Sequence, residues 1–531
     1  MSARPATFAL LLLALACLAF PARSPAAISE ARAIEVANRD PNVHKEEAEN
    51  GELAPVANEV EGHWEVGYFT EGKEVALVLV DPDGGTVTES WTGYQVAWKM
   101  ARGYSGAFGH KLNAPYVFLP LCALFLLGLV DWRRWRRLVN LDLLVLLGFG
   151  VSHFFFNRAE IGVSVPLAYP VLVYLLGRAL WIGFRGIGEG LRPVWPAAWL
   201  LIAALFLLGF RVGLNVADSR AIDVGYAGVV GADRISHGEP IYGNFPKDVS
   251  QGDTYGPVNY LAYVPFERIW PWSGKWDDLP AAHGAAVFFD VATFLLLIVL
   301  ALRIRPGPAG WRLGATLAFG WAAYPYTAFA LESNSNDTLV ALLLVATLIA
   351  LARPLARGAT AALATWAKFS PILLAPMLLT CERRRRSALL FVLGFLAITV
   401  AVMLWPAIDP GLHTFYERTI AYQAGRKSPF SIWGQVSWLE PLRVALLAAT
   451  AVLSLALAFV PRRKSLAQAA ALGAALLIAL QLTMHYWFYL YIVWFFPLLL
   501  VALAAGARAA TTGAGEPGPS PARRSPPVPT G

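Results

Sequence analysis

Six short clusters of arginine and lysine cut the sequence into apolar stretches of membrane-crossing length, and that alternation leaves little choice of fold. The clusters are DWRRWRR (131–137), FRGIGEGLR (184–192), RIRPGPAGWR (303–312), RPLAR (353–357), ERRRR (382–386) and PRRKS (461–465). A hydrocarbon core about 30 Å thick needs about 20 apolar residues per helix, and every backbone polar group inside it must be satisfied within the segment. Basic clusters stay on the cytoplasmic side. Placing all six there predicts spans at 116–131, 138–156, 163–184, 194–214, 281–302, 311–331, 337–352, 387–405, 441–460, 466–484 and 487–507. The stretch 358–380 has basic clusters at both ends, so it is expected to enter and return, with its break near Lys368 and Pro371.

Composition agrees. The chain is 57% hydrophobic and 15% charged, where soluble domains carry about a quarter charged residues. The net charge of +7 resides in the orienting clusters and gives no reason to expect a nucleic-acid partner. Cys17, Cys122 and Cys381 lie in or beside apolar segments, with neither metal-ligand spacing nor an evident disulfide partner. The expected fold is mostly α: a polytopic integral membrane protein with a small exported α+β domain near its N-terminus.

Residues 1–27 read as a signal peptide or a first membrane helix: Arg4, an apolar run from Phe8 to Phe20, then small residues through Ala27. Residues 28–112 form the soluble-looking part. ISEARAIEVANRDPNV has amphipathic helical spacing with Ser29 as its cap, HWEVGYF and EVALVLVD read as strands, and DPDGG ends the second strand. Asp81-Pro82-Asp83 is better explained as a turn than as a metal-binding acidic triplet. Helix, strand, strand and a D-P-x-x-G end resemble the PepSY-type module, a small exported domain of bacteria. Additional spans occupy 113–193, and the Gly/Pro/Ala/Ser-rich tail 509–531 is expected to be a disordered cytoplasmic segment.

The topology leaves two long polar loops outside, 215–280 and 406–440, with short turns at 332–337 and 484–485. Polar residues gather there: Asp218, Asp223, Tyr226 and Tyr255 in the first loop, and Glu332, Asn336 and Asp337 in ESNSND. Arg426 and Lys427 follow in the second long loop, and His485 stands in HYWFYLY. Lys368 is expensive at membrane depth, which marks it for function. Asp290, in mid-span, is expected to make a structural hydrogen bond. No P-loop, GxSxG, HExxH or CxxC framework is present.

D-x-x-Y at 223–226, G-x-x-I-Y at 238–242 and Y-G-P-V-x-Y-L-x-Y-x-P-F at 255–266 resemble the first long loop of the GT-C superfamily, in particular glycosyltransferase family 87. ESNSND, A-x-W-A-K-F-S-P and G-R-K-S-P-F-S are similar to later parts of that family and follow in the same order, covering 194–508. Gly256 departs from the pattern by standing where a proline is expected. The resemblance implies a GT-C-like helical bundle at 194–508 that moves a hexose, mannose in that family, from a polyprenyl-phosphate donor to a glycan or glycolipid acceptor of the cell envelope. It implies the extracytoplasmic face of a bacterial plasma membrane, Asp223 as general base and Asp218 as its rival. Lys368, Arg426, Lys427, His485, Tyr226, Tyr255, Glu332, Asn336 and Asp337 would hold donor phosphate or sugar. The lipid-borne sugar is the implied donor, and the resemblance assigns neither a cofactor nor a metal requirement. The alternative class is a multi-span transporter or flippase for lipid-linked sugars.

Overall fold

The structure, a computed structural model, describes residues 28–60, 62–97, 102, 110–186 and 190–505. The leader read at 1–27 and the tail read at 509–531 lie outside these residues. The described chain falls into two compact units, one within 1–104 together with 156–160, the other within 105–155 and from 161 onward.

The smaller unit begins with two helices, α1 (Glu30–Ala37) and α2 (Pro41–Asn50), where the sequence spacing predicted one. Ser29 caps the first, as expected, by accepting from the Arg32 N–H. Proline fits a first helical turn and not an interior, so Pro41 starts a new helix, with Asp40 as its cap. A four-stranded antiparallel meander follows: β1 (Ala54–Val60), β2 (His63–Thr70), β3 (Lys73–Val80) and β4 (Val87–Thr92), hydrogen-bonded in sequence order. Only β2 and β3 were legible, because they are buried while the edge strands are mostly exposed and polar. Ala33, Ala37, Val66, Tyr68, Ala76 and Val78 form the core between helices and sheet. The DPDGG segment is a turn, with Asp81 Oδ2 accepting from the Gly84 N–H at 2.9 Å.

The larger unit is helical. Among the described residues, six helical segments are long and apolar enough to cross a membrane: Leu138–Phe156, Ile161–Arg185, Ala197–Asp218, Pro280–Ile304, Arg385–Gly425 and Ser437–Ala456. Shorter apolar helices include Pro115–Leu129, Asp337–Ile349, Leu466–Gln481 and Tyr489–Ala505. By helix length and composition the chain is a multi-pass membrane protein. The span expected at 311–331 is broken into Gly307–Ala323 and Pro325–Glu332, because Pro325 cannot donate to the ladder. The stretch 358–380 is also broken: a helix over Pro354–Ala367 stops at Lys368, and a 3₁₀ turn over Ser370–Leu374 resumes the chain. Glycines let the first of these helices approach its neighbour. A Cβ on Gly358 would stand 2.0 Å from the Phe391 carbonyl oxygen, and one on Gly394 2.1 Å from that of Leu355.

Two regions read as loops are helical. Asp223–His237 is a helix whose glycines, spaced by three, face close neighbours. Gly225 lies against the Asn334 carbonyl, Gly228 against the Tyr263 ring and Gly231 against the Tyr260 ring. These glycines give this helix a smooth buried face. The second long loop is shortened: the apolar helix from Arg385 breaks at Asp409, where the backbone is extended (φ −142°, ψ 116°), and a second helical stretch runs from Leu412 to Gly425.

Candidate functional site

Lys368 sits where its helix ends, in extended backbone (φ −141°, ψ 130°), and this carries its side chain off the helix into the protein. It is 7% exposed, and its ammonium forms an ion pair with Asp337 Oδ1. Three rings surround the charge, with centroids of Tyr255, Tyr491 and Trp494 at 5.2, 5.5 and 5.0 Å. An ammonium over aromatic faces is attracted by the ring quadrupole, most strongly when desolvated. Asp337 opens the helix Asp337–Ile349, where a carboxylate also complements the helix dipole. Its Oδ1 accepts from the Trp494 Nε1–H at 2.7 Å, and its buried Oδ2 has no hydrogen-bond partner.

Arg426 lies just beyond the helical stretch that ends at Gly425. Its guanidinium stands 3.8 Å from the centroid of the Tyr486 ring and 6.0 Å from that of Tyr422. Among the described residues no carboxylate lies within ion-pairing distance of it. His485 follows the helix Leu466–Gln481, with Nε2 3.3 Å from Glu440 Oε2 and a buried Nδ1 without a partner. Burial holds the imidazole below its usual pKa, with the nearby Arg443 charge acting in the same direction.

Lys368, Arg426, His485, Tyr255, Tyr486 and Tyr491 line one cavity of about 310 Å³. Asp223 does not line it, yet lies within electrostatic reach of Arg426, Lys368 and Asp337. Protein crowds this carboxylate and pushes its pKa above the usual range. The Val224 N–H (2.9 Å), Arg426 and Lys368 pull the other way without reversing the rise, and Asp337 adds to it. Water still reaches the exposed side chain, which limits the rise. The resulting set is a carboxylate with raised proton affinity, a cation without a carboxylate partner, a paired cation and a wall of tyrosines.

Other sequence candidates fall elsewhere. Asp218 is turned away to Lys111, accepting from its N–H at 3.0 Å with the ammonium 3.5 Å from the other oxygen. It ends its helix, so its direction is set by that helix and not by the chain leading to Asp223. Tyr226 is buried, stacked on Trp276 (4.9 Å between centroids) and bonded to Asp248 at 3.2 Å, which is a packing role. Glu332 and Asn336 are buried outside the cavity lining, and their side-chain polar atoms lack hydrogen-bond partners. Lys427 is exposed, with its charge felt at His485. Asp290 has the structural role expected: its Oδ1 accepts from Arg211 and from Trp321 Nε1–H, both at 2.9 Å.

Sequence reading missed Tyr491 and Trp494, hidden in the continuous aromatic run HYWFYLYIVWFF. Only their spacing of three, which aligns two rings on one helical face, could have flagged them. It also missed that Arg418 grips Asp253, tying the segments 215–280 and 406–440 together at 2.6 and 2.7 Å. The departure at Gly256 has a physical reason. A Cβ there would stand 2.0 Å from the Trp366 carbonyl oxygen, so this position admits no side chain. That approach brings Tyr255 beside Lys368, two residues beyond Trp366.

The chain matches no protein-family model, no curated protein and no solved structure.

Proposed function

We propose that the protein is a membrane glycosyltransferase that moves a hexose from a polyprenyl-phosphate donor to a cell-envelope acceptor outside a bacterial plasma membrane. The observation that carries this reading is the meeting of Arg426 and Lys368 with a tyrosine-lined cavity, within electrostatic reach of Asp223. A lipid-borne donor needs a site at the membrane, a cation for its phosphate and aromatic surface for its sugar. Arg426 has no carboxylate to compete for it and offers a planar fork suited to phosphate. Lys368 is already held by Asp337 and contributes charge from behind.

In the reaction the acceptor hydroxyl oxygen attacks the anomeric carbon. The bond from that carbon to the phosphate oxygen breaks, and polyprenyl phosphate leaves with the bonding electrons. Asp223 takes the hydroxyl proton, a step worth about 10² to 10⁴-fold. Its raised proton affinity suits a base that must hold that proton through the transfer. The hexose is taken to be mannose on the sequence resemblance alone.

The flippase reading keeps one observation in its favour: a buried ion pair, Lys368–Asp337, where helices stop short, as transporter sites do. Proteoliposomes containing the purified chain, labelled polyprenyl-phosphate mannose and an envelope glycolipid extract separate the two. Label appearing on acceptor supports transfer. Label that stays on the polyprenyl carrier but changes leaflet supports the flippase and removes the transferase.

A further inference from the structure

A second cavity, of about 730 Å³, lies among the basic clusters that the sequence assigns to the cytoplasmic side. Five arginines line it: Arg133, Arg134, Arg136, Arg137 and Arg178. Two of them are fixed. Arg178 makes a bidentate pair with Asp142 at 2.7 and 2.8 Å, and Arg137 pairs with Asp131 at 3.1 Å while donating to the Gly190 carbonyl at 3.0 Å. The other three are exposed, and among the described residues none has a carboxylate at ion-pairing distance. Among the described residues, Arg133, Arg134 and Arg136 therefore bring positive charge to the opening without a paired carboxylate.

The rest of the lining is apolar. Leu138, Val139, Ile182 and Leu503 come from three different helices, and Trp135 and Trp181 stand at the rim, 67% and 53% exposed. Arg136 lies over the Trp135 ring, 4.9 Å from its centroid, so the rim is stiffened. An orienting cluster needs only charge near the surface. This one adds a half-open hollow, an apolar floor and two exposed tryptophans at its rim, the residue type enriched where lipid headgroups meet chains. Basic pockets between membrane helices on the cytoplasmic side have the charge and shape for phosphate headgroups.

We infer that this cavity binds one anionic phospholipid, its headgroup phosphate held by Arg133, Arg134 and Arg136 and one acyl chain lying along the floor from Leu138 to Leu503. The fixed arginines shape the wall, and the unpaired ones receive the phosphate.

The test uses the full chain in nanodiscs of phosphatidylcholine with added phosphatidylglycerol, with the lipid retained through detergent exchange counted by native mass spectrometry. The wild type should keep one phosphatidylglycerol per chain in preference to phosphatidylcholine. R133Q/R134Q/R136Q should bind it about a hundredfold more weakly. L138E leaves every arginine in place but sets a carboxylate at the partly exposed floor, and it should also lose the lipid. R384Q/R385Q/R386Q removes equal charge from another cluster and should keep it. The proposal is overturned if the first triple variant retains the lipid like the wild type. It is equally overturned if both triple variants lose it alike, which is generic surface attraction, or if millimolar inorganic phosphate displaces it, which is a free-anion site. Should the triple variant fail to fold, retention by L138E decides the question.

Discussion

The ammonium of Lys368 is ion-paired with Asp337 at the point where one helix ends and another begins, buried and ringed by Tyr255, Tyr491 and Trp494. Breaking such a pair leaves one uncompensated buried charge, which costs about 3–5 kcal/mol, whereas removing both charges costs far less. K368M and D337L should therefore each lower thermal stability in detergent strongly, and K368M/D337L should recover most of the loss. A strictly additive cycle would mean that the two side chains do not act as a pair.

Arg426 has the opposite expectation. It has no carboxylate to abandon, so R426Q should leave the melting temperature within a degree or two of wild type. Charge-assisted hydrogen bonds to a ligand are worth about 1.5–3 kcal/mol, so donor KM should rise about 10- to 100-fold. R426K should recover only part, because an ammonium lacks the planar fork. Steady-state kinetics across donor concentrations read this directly, and an unchanged KM removes Arg426 from the donor site.

Gly256 offers a test of positioning. Any Cβ there would press into the Trp366 carbonyl, and overpacking of this kind costs about 1–3 kcal/mol. G256A should shift Tyr255 away from Lys368 and reduce turnover. Y255F should keep turnover near wild type if the ring matters for its face over Lys368 and not for its hydroxyl. Turnover in G256A equal to wild type would show that the close approach has no consequence for the cavity.

Much of the larger fold was legible because hydrocarbon thickness and basic clusters act at the scale of whole segments, insensitive to single residues. Parts of the site were legible for a related reason. Lys368 in an apolar stretch and the carboxylates at helix ends stand out because burying charge is costly. What stayed hidden was directional. Asp218 and Asp223 lie five residues apart, but the end of one helix turns the first to Lys111 and the start of another leaves the second within electrostatic reach of Arg426. Asp223–His237 reads as part of a loop, and only the neighbours of Gly225, Gly228 and Gly231 show that these glycines serve close helix contacts. Tyr491 and Trp494 were lost among aromatics that any membrane interface would carry.

Asp223 can be tested through pH as well as by substitution. Surrounding protein holds its carboxyl above the usual range although water reaches it, so its base form appears only as pH rises past that higher value. Transfer should therefore increase with pH through a limb lying above the ordinary aspartate pKa of about 4. A raised pKa means that the folded state binds this proton more tightly than the unfolded state. Its contribution to stability is present at low pH and lost as pH rises through the folded value. D223N removes the ionisation and should be no less stable than wild type at neutral pH, while D218N should keep most of its transfer.

The first measurement is transfer of labelled mannose from polyprenyl-phosphate mannose to an envelope acceptor, with wild type and D223N reconstituted at equal amounts near neutral pH. We expect transfer by the wild type and a loss of about a hundredfold or more in D223N, with both proteins equally folded. Equal transfer by the two proteins would contradict the assignment of Asp223 as the base.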